Sequence, residues 1–142
     1  MTNFKRVSLN VRGINNFHKR RTIFNLCRER KADVIFLQET HSKEESETQW
    51  KNEWGGKCFY SHGSPNSRGV MVLIRNKFNC TIQNIVSDPL GRFIVLKVEI
   101  EDKIYVLRAV CCKDQLRSCN IEKTDVPKLC QNKGLGELVQ KI

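Results

Sequence analysis

No run of about 18 apolar residues, the length at which a segment begins to read as a membrane-spanning helix, occurs in the 142-residue chain. The opening Met1-Thr2-Asn3-Phe4-Lys5-Arg6 has no apolar stretch of the secretory kind and leads straight into a strand-like pattern. An intracellular protein, nuclear or cytoplasmic and without a membrane partner, is expected. CxxC pairs are also missing. The seven cysteines (27, 58, 80, 111, 112, 119 and 130) are odd in number and scattered. A zinc site would have to use Cys111, Cys112, Cys119 and Cys130 at irregular spacing with no nearby histidine, so reduced free thiols are expected instead. Internal repeats and low-complexity stretches are absent. Acidic residues are scarce where they matter most: residues 4–31 hold nine Lys or Arg and one acid, Glu29, and supply most of the net charge of +10. Such a segment draws polyanions by long-range attraction and makes their binding salt-dependent.

What remains is the composition of one ordinary globular domain, 39% hydrophobic and 28% charged. Val7, Leu9 and Val11 alternate with Ser8 and Asn10, the period of a strand with one buried face. Gly13 breaks that pattern, and Asn15-Asn16 offers helix-capping chemistry. Between Lys19 and Lys31, Ile23, Phe24, Leu26 and Cys27 recur at helical spacing, which predicts a helix over 18–31. Val34-Ile35-Phe36-Leu37 is a continuous apolar run suited to a strand covered on both faces. Strand, helix and strand within some 35 residues form a parallel βαβ unit.

Ser42-Lys43-Glu44-Glu45 has capping-box spacing and predicts a second helix over 43–54, with Trp50 and Trp54 on one face and Gly55-Gly56 ending it. Strands are expected at 57–62, 70–74 and 80–86. A hairpin is expected from 92–101 to 104–110 across Glu101-Asp102-Lys103. Beyond Val110 the apolar periodicity fades, with a short helix over 135–142 as the one expectation there.

Two strands of the βαβ unit end in polar residues at the same edge, Asn10-Val11-Arg12-Gly13 and Gln38-Glu39-Thr40-His41. Ligands of parallel α/β units gather outside the carboxyl ends of strands. A carboxylate and an amide there suit a hard cation such as Mg²⁺, which takes oxygen ligands and often only one or two carboxylates. The plainer alternative is that Asn10 and Glu39 finish their strands by bonding to local backbone.

Taken in order, Ser8-Leu9-Asn10-Val11-Arg12-Gly13, the basic amphipathic helix and Asp33-Val34-Ile35-Phe36-Leu37-Gln38-Glu39-Thr40-His41 resemble the opening of the endonuclease/exonuclease/phosphatase superfamily. They are most similar to the endonuclease domain of LINE-type (non-LTR) retrotransposons. Ser67-Arg68-Gly69-Val70-Met71-Val72-Leu73-Ile74 is similar to the family's Gly-led central strand, and the hairpin of 91–107 matches in place and character. The resemblance implies an α/β fold, a partial four-layer α/β sandwich. Residues 1–110 would form its N-terminal half, one mixed sheet with covering helices, and 111–142 a divergent tail without an assigned domain.

It further implies an Mg²⁺- (or Mn²⁺-) dependent phosphodiesterase, DNA endonuclease-like and related to apurinic/apyrimidinic endonucleases. In the family's pattern Glu39 binds the metal and Asn10 lies beside metal and scissile phosphate, so both are the candidate catalytic and metal-site residues. Arg12 and His41 would contact phosphate or remain solvated surface. DNA is the expected partner, bound weakly and without sequence preference through Lys5, Arg6, Arg12, Lys19, Arg20 and Arg21. Contact with about four phosphates would give a log K against log salt slope of about −3.6.

The pattern then departs from the family. Where an Asn-x-Tyr-Ala-Pro-like segment is usual, Arg108-Ala109-Val110-Cys111-Cys112 stands, with Ala109 for the asparagine and Cys111 for the tyrosine. The Gly-Asp-x-Asn and Ser-Asp-His motifs, which orient the nucleophile and supply a general base, do not occur in the sequence. A truncated domain of retrotransposon origin, inactive by itself, is therefore expected. The alternative is a non-catalytic basic remnant that only binds nucleic acid. Half a sandwich would also leave the inner face of its sheet bare, so self-association through that face is expected.

Overall fold

The computed structural model describes residues 4–111 and the backbone of 137–141. The expected βαβ unit forms. Strand β1 (Arg6–Asn10) runs parallel to β2 (Val34–Gln38), with Asn10 opposite Gln38, and α1 (Phe17–Glu29) crosses between them. Helix α1 begins where Asn16 accepts a hydrogen bond from the Lys19 amide at 3.0 Å, which satisfies one of the otherwise unpaired first-turn donors. The second helical region is a 3-10 turn (Glu44–Ser46) running into α2 (Glu47–Trp54). Strands β3 (Lys57–Ser61) and β4 (Val70–Ile74) complete a sheet of order β1-β2-β4-β3.

β2 and β4 are buried throughout, as their unbroken apolar runs predict. Ile35, Leu37, Met71 and Leu73 face the helices, where Phe24, Trp50 and Trp54 pack on them. Trp54 also donates its ring N–H to the Ile74 carbonyl at 3.1 Å, fixing α2 to the sheet. On the other face, Val34, Phe36, Val70, Val72 and Ile74 meet a second sheet.

That second sheet corrects the expectation of a single one. β5 (Thr81–Ser87), β6 (Phe93–Ile100) and β7 (Lys103–Val110) form an antiparallel meander, joined by β8 (Glu137–Lys141) at its edge. The reason lies in β6. Ile94, Leu96, Val98 and Ile100 fall at period two and are buried, and with Leu107 and Ala109 of β7 they need a cover. The inner face of the first sheet supplies it, and full burial of each such side chain contributes about 1.5–3 kcal/mol.

The sandwich class holds, but strands of both sheets lie within residues 6–110 and close on each other, with β8 added at one edge. Among the described residues, the inner face expected to drive self-association is covered by the second sheet. β5 instead keeps Ile85 and Val86 half-exposed at the opposite margin. β8 also replaces the short helix expected over 135–142, because its backbone pairs with β7 from Tyr105↔Lys141 to Ala109↔Glu137. The hairpin turn forms as predicted. Glu101 and Asp102 both take positive φ, as a two-residue turn matched to strand twist requires. Among the described residues, no helix is long and apolar enough to cross a membrane.

Candidate functional site

The carboxyl edge of β1 and β2 departs sharply from regular backbone. Arg12, Glu39 and His41 lie at φ 51°, 56° and 57°, the left-handed region that non-glycine residues rarely occupy. Each such residue costs on the order of 1–3 kcal/mol unless its surroundings hold it there. A dense set of backbone bonds does so. The Gly13 amide donates to the Glu39 carbonyl at 2.6 Å, and Ile14 to Thr40 at 3.1 Å; Thr40 donates to Gly69 and His41 to Arg68, each at 3.0 Å.

Two glycines make that approach possible. Gly13 has φ 85°, and a Cβ on it would lie 2.6 Å from His41 Nδ1. Gly69 has φ 90°, and a Cβ there would lie 2.7 Å from Thr40 Oγ1. The glycine leading the central strand is therefore a spacer for the segment that carries Glu39.

The structure brings Asn10 and Glu39 together. Asn10 Nδ2 donates to Glu39 Oε2 at 3.0 Å on the exposed edge, and Asn10 Oδ1 accepts from the Arg12 amide at 3.2 Å. The two bonds agree on the amide's orientation, because a flipped amide would set its oxygen against a carboxylate oxygen. Asn10 thus presents its nitrogen to Glu39 and positions it. Among the described residues Glu39 has no cationic partner, and no group of three or more His, Cys, Asp or Glu converges there. One free carboxylate with an orienting amide fits a hard ion that keeps most of its waters.

Arg12 is exposed beside this pair, with its carbonyl accepting from Lys19 Nζ at 3.2 Å. His41 is turned inward. Its carbonyl accepts from Asn15 Nδ2 at 3.0 Å, and its Nε2 is buried without a hydrogen-bond partner among the described residues.

Basic residues close in sequence are not one surface in space. Arg20 is buried, paired to Glu53 through Nε–Oε1 at 2.6 Å and Nη2–Oε2 at 2.9 Å, and it donates from Nη1 to the Ile14 and Asn15 carbonyls. Its guanidinium also lies 5.0 Å from the Trp50 ring centre. Arg20 is therefore a clamp on the loop behind the site and no contact for DNA, which corrects the sequence expectation for it. The same ion pair holds the Glu53 carboxyl below its usual range. Lys5 and Arg6 stand at the start of β1, the end of the sheet away from Glu39, and Lys5 Nζ is spent on the Arg30 carbonyl at 2.7 Å. Arg21 borders a cavity between α1 and α2. Of the six expected contacts, Arg12 and Lys19 are at the site.

Sequence reasoning missed a second layer beneath Glu39. Ser42, expected to cap a helix, makes no such bond. Its hydroxyl lies 2.8 Å from His62 Nδ1, and His62 Nε2 lies 2.5 Å from Glu47 Oε2. The one available signal was the position of His62 at the end of the strand expected over 57–62, next to the loop that leads to Gly69. Free thiols occur at Cys27, Cys58 and Cys80 among the described residues, and burial pushes Cys27 and Cys58 up to about 11, away from reactive thiolate.

Comparison with known proteins bears on this edge. The sequence profile of the Endonuclease/Exonuclease/phosphatase family matches residues 7–125. The chain is 32% identical over 103 residues to the transposon TX1 uncharacterized 149 kDa protein of Xenopus laevis, covering 72% of this chain and 8% of that protein. Among solved structures it is similar to D. rerio TDP2 complexed with single strand DNA product, with TM-score 0.57 and 18% identity over 85% of this chain and 55% of that one. It is equally similar to the mannosyl-6-phosphatase of Bacteroides thetaiotaomicron, with TM-score 0.57 and 12% identity over 91% and 61%. The last two share the fold at identities too low to transfer a substrate.

Proposed function

The chain belongs to the endonuclease/exonuclease/phosphatase family, and on that premise we propose that it carries the metal-binding half of a DNA phosphodiesterase site of retrotransposon type and does not complete that site by itself. The observation that carries this reading is the Glu39 carboxylate. It is raised on left-handed backbone at a strand edge, oriented by Asn10 and given no cation by the described residues. A structural carboxylate has no need of such a posture.

The ion is Mg²⁺ or Mn²⁺, held by Glu39 with Asn10 beside it; when bound it supplies Lewis-acid stabilisation to a phosphoryl oxygen and the leaving alkoxide. Asn10 fixes the rotamer of Glu39 through its amide nitrogen, while its oxygen accepts from the Arg12 amide. Arg12, exposed next to both, is the phosphate contact. His41, the second phosphate candidate, sets its Nδ1 against Gly13 and keeps Nε2 buried, so it joins Arg12 only on rearrangement of this edge. DNA as the polyanion is supported by the transposon relative and by the DNA product bound to a protein of the same fold.

Activity of the chain alone is not expected, because Gly-Asp-x-Asn and Ser-Asp-His do not occur in its sequence. A carboxylate-held metal without a base or orienting groups loses most of the rate enhancement. The rival reading, a non-catalytic basic module, loses weight from the engagement of Arg20 and Lys5 in internal bonds.

Two measurements test the proposal. Mn²⁺ binding followed by electron paramagnetic resonance should be lost in Glu39→Gln; binding unchanged in that variant sinks the metal assignment. Plasmid incubated with Mg²⁺ should stay intact beside an active full-length relative. Nicking that disappears in Glu39→Ala would show the half-site to be sufficient and overturn the second clause.

A further inference from the structure

Four side chains beneath Glu39 form one continuous hydrogen-bonded line. Thr40 Oγ1 donates to Ser42 Oγ at 3.1 Å, Ser42 Oγ meets His62 Nδ1 at 2.8 Å, and His62 Nε2 meets Glu47 Oε2 at 2.5 Å. The Ser42 amide closes back on Thr40 Oγ1 at 3.4 Å. One proton assignment satisfies every bond: Thr40 hydroxyl to Ser42 oxygen, Ser42 hydroxyl to Nδ1, and Nε2–H to the Glu47 carboxylate. The imidazole is held flat by stacking on Tyr60, with ring centres 5.1 Å apart and planes at 28°, and the Tyr60 hydroxyl donates to the Glu47 carbonyl at 3.2 Å.

Carboxylate, imidazole and hydroxyl in this order invite comparison with a nucleophile and its base. Burial excludes that use. Ser42 and Thr40 are both 0% exposed, so no substrate reaches either oxygen. The line acts on the backbone instead. It ends on Thr40, between the two left-handed residues Glu39 and His41, with Thr40 Oγ1 lodged against Gly69. Extended backbone is the lower-energy state at those positions, so whatever holds Thr40 also holds the direction in which Glu39 points.

We propose that His62 and Glu47 are positioning residues for Glu39, acting through Ser42 and Thr40 to fix the metal carboxylate at the edge of the sheet. Neither touches the site. This rests on the reading of Glu39 as a metal ligand. Partners one shell removed from a metal govern its affinity by orienting the ligand, and their loss typically costs about 10–100-fold.

The test is Mn²⁺ alone, titrated into the full chain and followed by electron paramagnetic resonance, with melting of each variant recorded in parallel. Glu39→Gln serves as the reference and should lose binding. His62→Ala should weaken Mn²⁺ by about tenfold, the low end for outer-shell partners. His62→Gln, whose amide can still accept from Ser42 and donate to Glu47, should recover most of that loss. Glu47→Gln should fall between the two. Should His62→Ala fail to fold, Ser42→Ala removes the middle of the line with a smaller change and should show the same weakening. Full Mn²⁺ affinity in folded His62→Ala and Ser42→Ala, with binding lost in Glu39→Gln, overturns the positioning role and leaves the metal assignment standing. Affinity unchanged in Glu39→Gln overturns the metal assignment, and this inference falls with it.

Discussion

Strand β2 carries a carboxylate at each end, and the two are treated oppositely. Asp33, just before the strand, is 8% exposed and saturated: it accepts from the Lys5 amide at 2.8 Å and from Arg75 Nε at 3.0 Å, with a second Arg75 nitrogen in salt bridge. Glu39, just after the strand, stands on left-handed backbone with one amide as partner and no cation among the described residues. The same strand thus spends one acid on holding the sheet together and keeps the other uncompensated. Carboxylates in a protein default to the first condition, because an ion pair or several hydrogen bonds stabilise the charged form. Under the proposed function, the second condition, held against backbone strain, keeps that edge open for a metal ion.

The contrast is broken most easily at its structural end. Asp33→Ala removes the bond to the Lys5 amide and the partner of Arg75, and should lower unfolding free energy by about 2–3 kcal/mol. Because Arg75 is partly exposed, the loss should fall short of a fully buried pair. Urea melts measure it, and Mn²⁺ affinity should not change. An unaltered midpoint would show that the two carboxylates are not different in kind.

At the other end the sign reverses. Glu39→Gly relieves the left-handed penalty and should stabilise the fold by about 1 kcal/mol while removing Mn²⁺ binding. Destabilisation of that size would mean that Glu39 is structural after all.

Acid sharpens the comparison further. Glu53 and Asp88 are both held below their ordinary values, each first by its arginine partner's hydrogen bond, Arg20 and Arg92 respectively. A depressed carboxylate contributes stability that is present above its unfolded value and lost as pH falls through the folded one. Thermal midpoints should therefore decline on acidification below the ordinary carboxylate range. Glu53→Gln should start lower at neutral pH and decline less; equal slopes would count against the linkage.

The smallest effect expected is on DNA association. With Arg20 buried and Lys5 and Arg6 at the far end of β1, Arg12 and Lys19 remain at the site, and two contacts give a log K against log salt slope of about −1.8. A slope near about −3.6 would restore the broader basic surface.

Local pattern carried much of this molecule. The alternation that marks β1, the apolar run of β2, the Asn16 cap and the Glu101-Asp102 turn are all decided by neighbours a few residues away, and all read correctly. The Asn10–Glu39 pairing was legible because parallel strands with matched ends must bring their following residues together. Partners far apart in sequence were not legible. Arg20 reads as one more cation on a basic helix face until Glu53, 33 residues on, is folded against it. Ser42 reads as a cap until His62, 20 residues on, takes its hydroxyl. The division into two sheets was hidden for the same reason, since alternation fixes which face of β6 is buried and says nothing about which sheet covers it.

The meander also sets an order of assembly. β6 and β7 are joined by two residues and β5 and β6 by five (88–92), whereas β1 reaches β2 across a crossover spanning 11–33. Closing the short loops sacrifices little chain entropy, so the hairpins can nucleate first and offer a template on which the first sheet condenses. Amides of β6 and β7 should then gain protection in pulse-labelled hydrogen exchange before those of β1, and the strained loop carrying Glu39 should be the last segment to lock.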